Sequence, residues 1–236
     1  MREHREPTQL RPITITPGVN RYAEGSALIH WGHTQVLATV TIDTRLPPHL
    51  RGKGHLGGWL SAEYALLPRS TQDRTQRERL YASGRTQEIQ RLIGRALRSI
   101  TNLTLFPNRT LIIDVDVLQA DGGTRCAGIV AGYAALHQAA GRLVYAGEIS
   151  EWPLSHELGA VSIGIVGGET FIDLEYSEDV EAGADLNVIA TGDGQVVEVQ
   201  GGSEETPIPA ERYVQMVASG ITAAQRIVEI VRPQLA

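Results

Sequence analysis

Apolar and polar positions alternate through the N-terminal third of the chain and predict a series of short strands. The segments at residues 11–16, 26–31, 36–43 and 59–67 are rich in Val, Ile, Leu or Thr and are bounded by Gly or Pro. We expect an antiparallel sheet to begin here.

Two polar stretches and one amphipathic helix follow from the same pattern. Residues 47–58 hold too many Gly, Pro and His for a packed element and predict a mobile loop. Residues 69–84 show no apolar period and predict a surface loop or a frayed helix carrying Arg69, Arg74, Arg77 and Arg79. Between residues 86 and 101, apolar positions recur with helical spacing. With Thr86 as its N-cap, this helix would place Arg85 just before a helix N-terminus, a position that favours anions.

The rest of the chain repeats the order of strands followed by helices. A strand at residues 110–118 precedes a glycine pair and a helix of small residues at 126–140. Two hairpins are predicted around glycine-containing turns, and a last helix follows; the ranges are 161–166 with 169–176, 185–191 with 195–200, and 209–231. This grouping indicates an α+β fold in one domain over residues 1–236. The repeated order suggests two related halves, although no residue-level repeat is visible.

Composition excludes several classes of protein. Of the 236 residues, 42% are hydrophobic and only one is Cys, so neither a disulfide-stapled secreted domain nor a structural zinc site is expected. No apolar run resembles a signal peptide or a membrane span, and we expect a cytoplasmic protein that does not contact the membrane.

Charge is distributed unevenly. The net charge of -6 alone argues against binding to nucleic acid. However, eight Arg lie between Arg69 and Arg98, whereas fifteen Asp and Glu and no Lys or Arg lie between Leu143 and Glu211. The asymmetry indicates separate duties for a cationic middle and an anionic second half, or else two solvated faces. Of the 21 basic residues, 20 are Arg, which fits bidentate phosphate contacts or a GC-rich genome equally well.

Two groups of residues are candidates for binding or catalysis. In the segment at residues 121–125 (DGGTR), glycines before a helix let backbone amides face a phosphate, and Arg125 adds a planar fork; the alternative is an ordinary turn. The segment at residues 175–185 holds five carboxylates, of which Asp179 and Asp185 suit Mg²⁺; the alternative is a solvated acidic turn. Cys126 has the placement of a small packed residue, so covalent catalysis is not expected. These parts are typical of phosphoryl or nucleotidyl transfer.

The segments GRTQEIQRLIGRALR (residues 84–98) and DVLQADGGTR (residues 116–125) closely resemble the bacterial ribonuclease PH family. Shorter matches agree in order along essentially the whole chain. The resemblance implies a ribonuclease PH-like fold, of the type of ribosomal protein S5 domain 2, with mixed and antiparallel sheets and packed helices.

The resemblance also implies an activity: a phosphate-dependent 3′-to-5′ exoribonuclease, or tRNA nucleotidyltransferase, that trims tRNA precursors and works reversibly. Inorganic phosphate would be the co-substrate, Mg²⁺ or Mn²⁺ the cofactor, and a homohexamer built as a trimer of dimers the assembly. Carried over by position, the phosphate site comprises Arg85, Gly123, Thr124 and Arg125, and the catalytic and metal-binding pair comprises Asp179 and Asp185. RNA would be held by Arg69, Arg74 and Arg77.

Some segments depart from the family pattern, and two other functions remain open. Cys126 stands where a hydroxyl residue is common, the loop at residues 78–83 is short, and residues 201–205 differ from the usual tail of that strand. The first alternative is a non-catalytic RNA-binding ring subunit of an exosome-like assembly, which would lack the acidic pair or the phosphate turn. The second is a magnesium-dependent small-molecule phosphotransferase, which would have little use for the arginine-rich segment.

Overall fold

The first five strands form a mixed sheet. The computed structural model describes residues 5–52, 57–78, 82–203 and 206–235, so residues 53–56 of the expected loop and Arg79 lie outside it. The strands, in the sheet order β1-β2-β3-β5-β4, are β1 (Ile13–Pro17), β2 (Gly25–Trp31), β3 (Thr34–Asp43), β5 (Thr110–Gln119) and β4 (Trp59–Leu66).

The expectation of a purely antiparallel first sheet is wrong for β4. This strand pairs with β5 in parallel, with Ala62 opposite Ile113. A helix, α1 (Gly84–Ser99), lies between the two strands in sequence and packs against β4. Parallel neighbours need such a crossover, because a short turn cannot return the chain to the same end of the sheet.

The second sheet is antiparallel throughout, in the order β7-β6-β8-β9. Its strands are β6 (Leu158–Val166), β7 (Glu169–Ile172), β8 (Ala184–Thr191) and β9 (Val196–Ser203). Both predicted hairpins are confirmed, but β7 stops at Ile172, earlier than expected. Asp173 has φ of 61° and turns the chain toward a short helix that the sequence did not predict, α3 (Tyr176–Glu181).

The two sheets share one buried core through α2 (Thr124–Tyr145). This helix contacts β2, β3 and β5 of the first sheet and β6 of the second, so nearly all of its sides are buried. The last helix, α4 (Ala210–Val231), covers β6 and β8. The α+β fold with mixed and antiparallel sheets is therefore confirmed, while the relation between the two halves stays a prediction.

The start of α1 also differs from expectation. Its N-cap is Ser83, whose Oγ accepts a hydrogen bond from the Thr86 amide at 3.2 Å, and the helix begins at Gly84. Arg85 therefore lies in the first turn rather than before it. For the preceding segment we expected either a surface loop or a frayed helix. Residues 69–78 and 82–83 form no helix or strand and match the loop. No helix among the described residues combines the length and apolar character that crossing a membrane requires.

A glycine in β6 allows α4 to pack closely on the second sheet. A Cβ built on Gly159 would lie 2.2 Å from the Ala224 carbonyl oxygen, a backbone atom that cannot turn aside. We expect Gly159→Ala to lower the free energy of unfolding by about 2 kcal/mol, measured by urea denaturation followed by circular dichroism. Gly141→Ala is the control, because nothing lies within 4 Å of its added Cβ. Equal stability of the two variants would contradict the close contact.

Candidate active site

The glycine turn between β5 and α2 is held in an unusual backbone conformation. Gly122 and Gly123 have φ of 72° and 65°, the left-handed region that favours glycine. Thr34 fixes the turn, since its Oγ1 donates to the Gly122 carbonyl at 2.8 Å and accepts from the Asp121 amide at 3.0 Å. A Cβ on Gly122 would lie 2.4 Å from the Leu174 carbonyl oxygen. The turn therefore packs directly on the segment that leads into α3.

A buried carboxylate lies behind this turn. The Asp173 residue is 1% exposed, and its Oδ1 accepts from Arg11 Nη2 at 2.6 Å and from Arg11 Nε at 3.1 Å. Its Oδ2 accepts from the Arg11 amide at 2.6 Å and from Trp31 Nε1 at 3.0 Å. The remaining arm of Arg11 donates to the Asp121 carbonyl, at the start of the glycine turn. Arg11 thus connects Asp173 to the turn.

The same carboxylate is connected to α3. Arg5 donates to Asp173 at 3.1 Å and to Glu178 at 3.3 Å, and Glu178 accepts from the Glu175 amide at 3.0 Å in the first turn of the helix. Glu178 is buried, so α3 has one fixed face toward the protein. Asp179, the next residue along the chain, is exposed. The sequence did not predict Asp173 as a site residue. Its place between Ile172 and Leu174, in an otherwise apolar run, indicates burial but does not reveal its partners.

A cavity of about 360 Å³ brings both predicted clusters together. It contains four predicted site residues: Arg85 from α1, Arg125 from α2, Asp179 from α3 and Asp185 from β8. The rest of its lining consists of Glu88, Asn187, Gln200 and Gly201. Two arginines and two carboxylates, supplied by four different elements, therefore face one space.

Arg125 carries a donor without an acceptor. Its Nε is buried and has no hydrogen-bond partner among the described residues. A buried polar group left in this way costs about 1–3 kcal/mol, and an oxyanion in the cavity would remove that cost. The arrangement can bind phosphate.

Gly123 and Thr124 stand on the same turn but are not part of the cavity lining. Gly123 is the N-cap of α2, and Thr124 Oγ1 accepts from the Tyr64 hydroxyl at 2.9 Å. Burial raises the pKa of Tyr64, and the hydrogen bond to Thr124 with the charges of Arg85 and Arg125 offsets this only in part. Tyr64 therefore remains a donor, and the Thr124 hydroxyl hydrogen can point elsewhere.

The three predicted RNA-binding arginines lie outside this cavity. Arg69, Arg74 and Arg77 are exposed, and none forms an ion pair with another described residue. Their segment begins beside the glycine turn, because the Ala120 amide donates to the Ser70 carbonyl at 2.8 Å. Exposed guanidinium groups of this kind can contact the phosphates of a polyanion.

The carboxylates fit a magnesium ion only with help from substrate. Within the described ranges, no group of three or more His, Cys, Asp or Glu is arranged to hold a metal. Asp179 and Asp185 nevertheless line the same cavity. Two carboxylates match the number that Mg²⁺ takes directly, with water and phosphate oxygens as its other ligands.

The cysteine is packed rather than reactive. Cys126 is 1% exposed, and its thiol contacts Asn187 Oδ1 at 3.3 Å. Burial raises the pKa of the thiol to about 12, against the opposing charge of Arg125. The prediction that Cys126 is a small packed residue is therefore confirmed, and burial with a raised pKa disfavours the reactive thiolate.

Two family models match the chain. The description "3' exoribonuclease family, domain 1" covers residues 9–140, and "3' exoribonuclease family, domain 2" covers residues 156–223. The first match ends within α2, and the second begins just before β6. The matches and the fold together define a chain of the 3′ exoribonuclease class.

Proteins with similar sequences identify the family within this class. The chain is 51% identical to ribonuclease PH of Deinococcus radiodurans over 236 residues, covering 100% of this chain and 95% of that protein. It is 50% identical to ribonuclease PH of Moorella thermoacetica over 211 residues, covering 89% of this chain and 84% of that protein. The chain therefore belongs to the ribonuclease PH family of 3′ exoribonucleases, and the expected resemblance is confirmed.

Solved structures agree with the fold. Rice (Oryza sativa) Rrp46 superposes with a TM-score of 0.78 at 24% identity, over 99% of each chain. A chain of the Archaeoglobus fulgidus exosome, in a structure with RNA bound to the active site, superposes with a TM-score of 0.79 at 22% identity. That match covers 95% of this chain and 90% of the archaeal one. At these identities the likeness concerns the fold alone.

The buried ion pair between Asp173 and Arg11 should contribute measurably to stability. We expect Asp173→Asn to lower the free energy of unfolding by about 3–5 kcal/mol, because it leaves the buried Arg11 guanidinium without its counter-charge. Urea denaturation checks this. The matched control is Asp43→Asn, which removes an exposed pair with Arg45 at 3.3 Å and should cost under about 1 kcal/mol. Similar losses in the two variants would show that Asp173 does not organise the site.

The single cysteine provides a second test. We expect iodoacetamide at pH 8 to leave the folded protein unmodified, since the thiol is buried and its pKa is raised to about 12. The same protein in concentrated urea should take up one label, detected by intact mass spectrometry. Rapid labelling of the folded protein with loss of activity would indicate a reactive thiol instead.

Proposed function

We propose that this chain is a phosphate-dependent 3′-to-5′ exoribonuclease that trims tRNA precursors, with the cavity between α1, α2, α3 and β8 as its active site. The observation that carries the proposal is the meeting of two arginines and two carboxylates in that cavity. Inorganic phosphate attacks the terminal phosphodiester, and a nucleoside diphosphate is released. The reverse reaction extends RNA from nucleoside diphosphates.

Phosphate is held by Arg85, Gly123, Thr124 and Arg125. Arg125 presents a buried donor without an acceptor, and Arg85 faces the same space. Thr124 begins α2, so its amide and hydroxyl lie at the positive end of a long helix. Together these groups offset the repulsion between the attacking phosphate and the phosphodiester. No protein nucleophile is then required.

Asp179 and Asp185 supply the catalytic carboxylates. When the P–O3′ bond breaks, the 3′ oxygen of the shortened RNA gains a proton, which one carboxylate of this pair can take from the attacking phosphate and pass on. The same two side chains would hold Mg²⁺ or Mn²⁺, which stabilises negative charge on phosphate oxygens when it is bound. The other ligands of the ion would be water and substrate oxygens.

The RNA tail is held outside the cavity by Arg69, Arg74 and Arg77. These exposed side chains bind phosphates regardless of sequence. Their contact makes affinity depend on salt, with a slope of about -0.7 per phosphate in log affinity against log salt concentration for a single strand. Single-stranded 3′ ends fit a narrow site of this kind, whereas a folded stem stops at its mouth.

The assembly we propose is a cytoplasmic ring of six copies, built as three dimers. The family resemblance implies it, and two of the solved structures that share the fold are archaeal exosomes. A non-catalytic ring subunit is the second candidate. We favour the enzyme because both the acidic pair and the arginines are present in one cavity.

The reaction itself is tested by its dependence on phosphate. With a tRNA bearing extra 3′ nucleotides and Mg²⁺, we expect nucleoside diphosphates to be released only when inorganic phosphate is added, measured by chromatography of the products. Nucleoside monophosphates would indicate hydrolysis and contradict the proposal. Absence of release under both conditions would favour the binding subunit.

Two substitutions separate the assigned roles. Arg125→Ala should raise the KM for phosphate at least about tenfold, since a charge-assisted hydrogen bond contributes about 1.5–3 kcal/mol, and should leave RNA affinity nearly unchanged. Asp185→Asn should abolish turnover while RNA still binds. Steady-state kinetics and fluorescence anisotropy of labelled RNA measure these effects, with Arg226→Ala on the exposed side of α4 as the control. Normal turnover by Asp185→Asn would show that this carboxylate takes no part in catalysis.

A further inference from the structure

The outer face of α3 carries an aromatic side chain next to the cavity. Successive residues of a helix are rotated by about 100°, which places Tyr176, Asp179 and Val180 on one side and Glu178 on the other. Asp179 lines the cavity. Tyr176 is 54% exposed and Val180 is 66% exposed. An apolar surface therefore flanks a carboxylate of the candidate active site.

This surface is rigid. The helix is fixed by the buried Glu178, which receives hydrogen bonds from Arg5 and from the Glu175 amide at the start of α3. Tyr176 is the first residue of that helix. An aromatic ring on a fixed backbone loses little conformational entropy when a ligand covers it. The ring is thus prepared for contact before any ligand arrives.

The charge around Tyr176 identifies the part of a ligand that fits. Glu175 and Asp179 are its acidic neighbours on the helix surface, and no Lys or Arg lies on α3. A phosphate group would be repelled there, whereas a neutral flat ring would not. Single-stranded RNA offers both parts, because its phosphates can face the arginines while its bases stack on aromatic side chains.

We propose that Tyr176 stacks against a nucleobase at the 3′ end of the RNA and so positions the terminal phosphodiester in the cavity. This inference rests on the proposed function, since it takes RNA as the substrate. Stacking does not depend on base identity, because each base has a π face. The contact therefore suits an enzyme that removes different nucleotides one after another.

The experiment compares Tyr176→Ala with Tyr176→Phe on an RNA with a single-stranded 3′ tail. We expect the alanine variant to raise the KM for RNA about tenfold, in line with the loss of one stacked base, and to leave the KM for phosphate unchanged. The phenylalanine variant should behave as the parent protein. Tyr22→Ala is the matched control, because Tyr22 is 85% exposed. It lies near the opposite end of α2, where Arg142 donates to the carbonyl of its neighbour Ala23 at 3.1 Å.

Two further RNAs identify the base that stacks on Tyr176. One tail lacks the base on its last nucleotide, and the other lacks the base on its last-but-one nucleotide. The tail without the stacked base should bind the parent protein and Tyr176→Ala equally, since the stacking contact is then already missing. Unchanged KM in Tyr176→Ala, or the same loss on the intact and both abasic tails, would overturn the inference. A smaller oligomer for Tyr176→Ala in solution would also overturn it, in favour of a contact between copies.

Binding measurements keep this test separate from the proposed function. Anisotropy of the same labelled RNAs reports the coupling between Tyr176 and the missing base without any turnover. If the parent protein released no nucleoside diphosphate but showed this coupling, the proposed reaction would fail while the stacking site stood. If the parent protein released nucleoside diphosphate but showed no coupling, the proposed reaction would stand while the stacking site would fail.

Discussion

The site depends on one buried negative charge. Asp173 is almost completely removed from water and receives hydrogen bonds from Arg11, Arg5 and Trp31. Burial of a carboxylate is unfavourable unless its charge and its lone pairs are both satisfied. Here the two arginines that satisfy it also hold other parts of the site. Arg11 reaches the glycine turn, and Arg5 reaches α3 through Glu178. The glycine turn and α3 are therefore both positioned by the buried carboxylate of Asp173.

The packing of α2 explains how the buried carboxylate of Asp173 can affect the positions of groups on both sheets. The body of α2 fills the space between the first sheet and β6, while Arg125 in its first turn lines the cavity. Its glycines permit close approach, since a Cβ on Gly128 would lie 3.0 Å from Val115 Cγ1. Core packing thus fixes the direction in which Arg125 projects. The geometry of the site is a consequence of the core, and a surface loop could not reproduce it.

Much of the fold could be predicted from local patterns, and the exceptions have physical causes. The apolar period of α1 specified a helix, but Ser83 and Thr86 both offer a capping hydroxyl, and only tertiary structure decides between them. The composition of β4 does not distinguish parallel from antiparallel pairing, although the helix between β4 and β5 was a usable signal.

The site was predictable where its chemistry is local and not where it depends on distant partners. Arg125 could be identified because glycines precede it and a helix follows. Asp173 could not, since its partner Arg11 lies 162 positions away.

The uneven charge distribution along the sequence is explained only by the fold. The cationic middle contributes Arg85 to the cavity, α2 contributes Arg125, and the anionic second half contributes the two aspartates. Transfer between two anions needs both signs of charge at short range, because arginines alone would bind phosphate without providing a proton or a metal ligand. A net charge of -6 is therefore compatible with an RNA substrate, as binding is decided by the local field at the cavity.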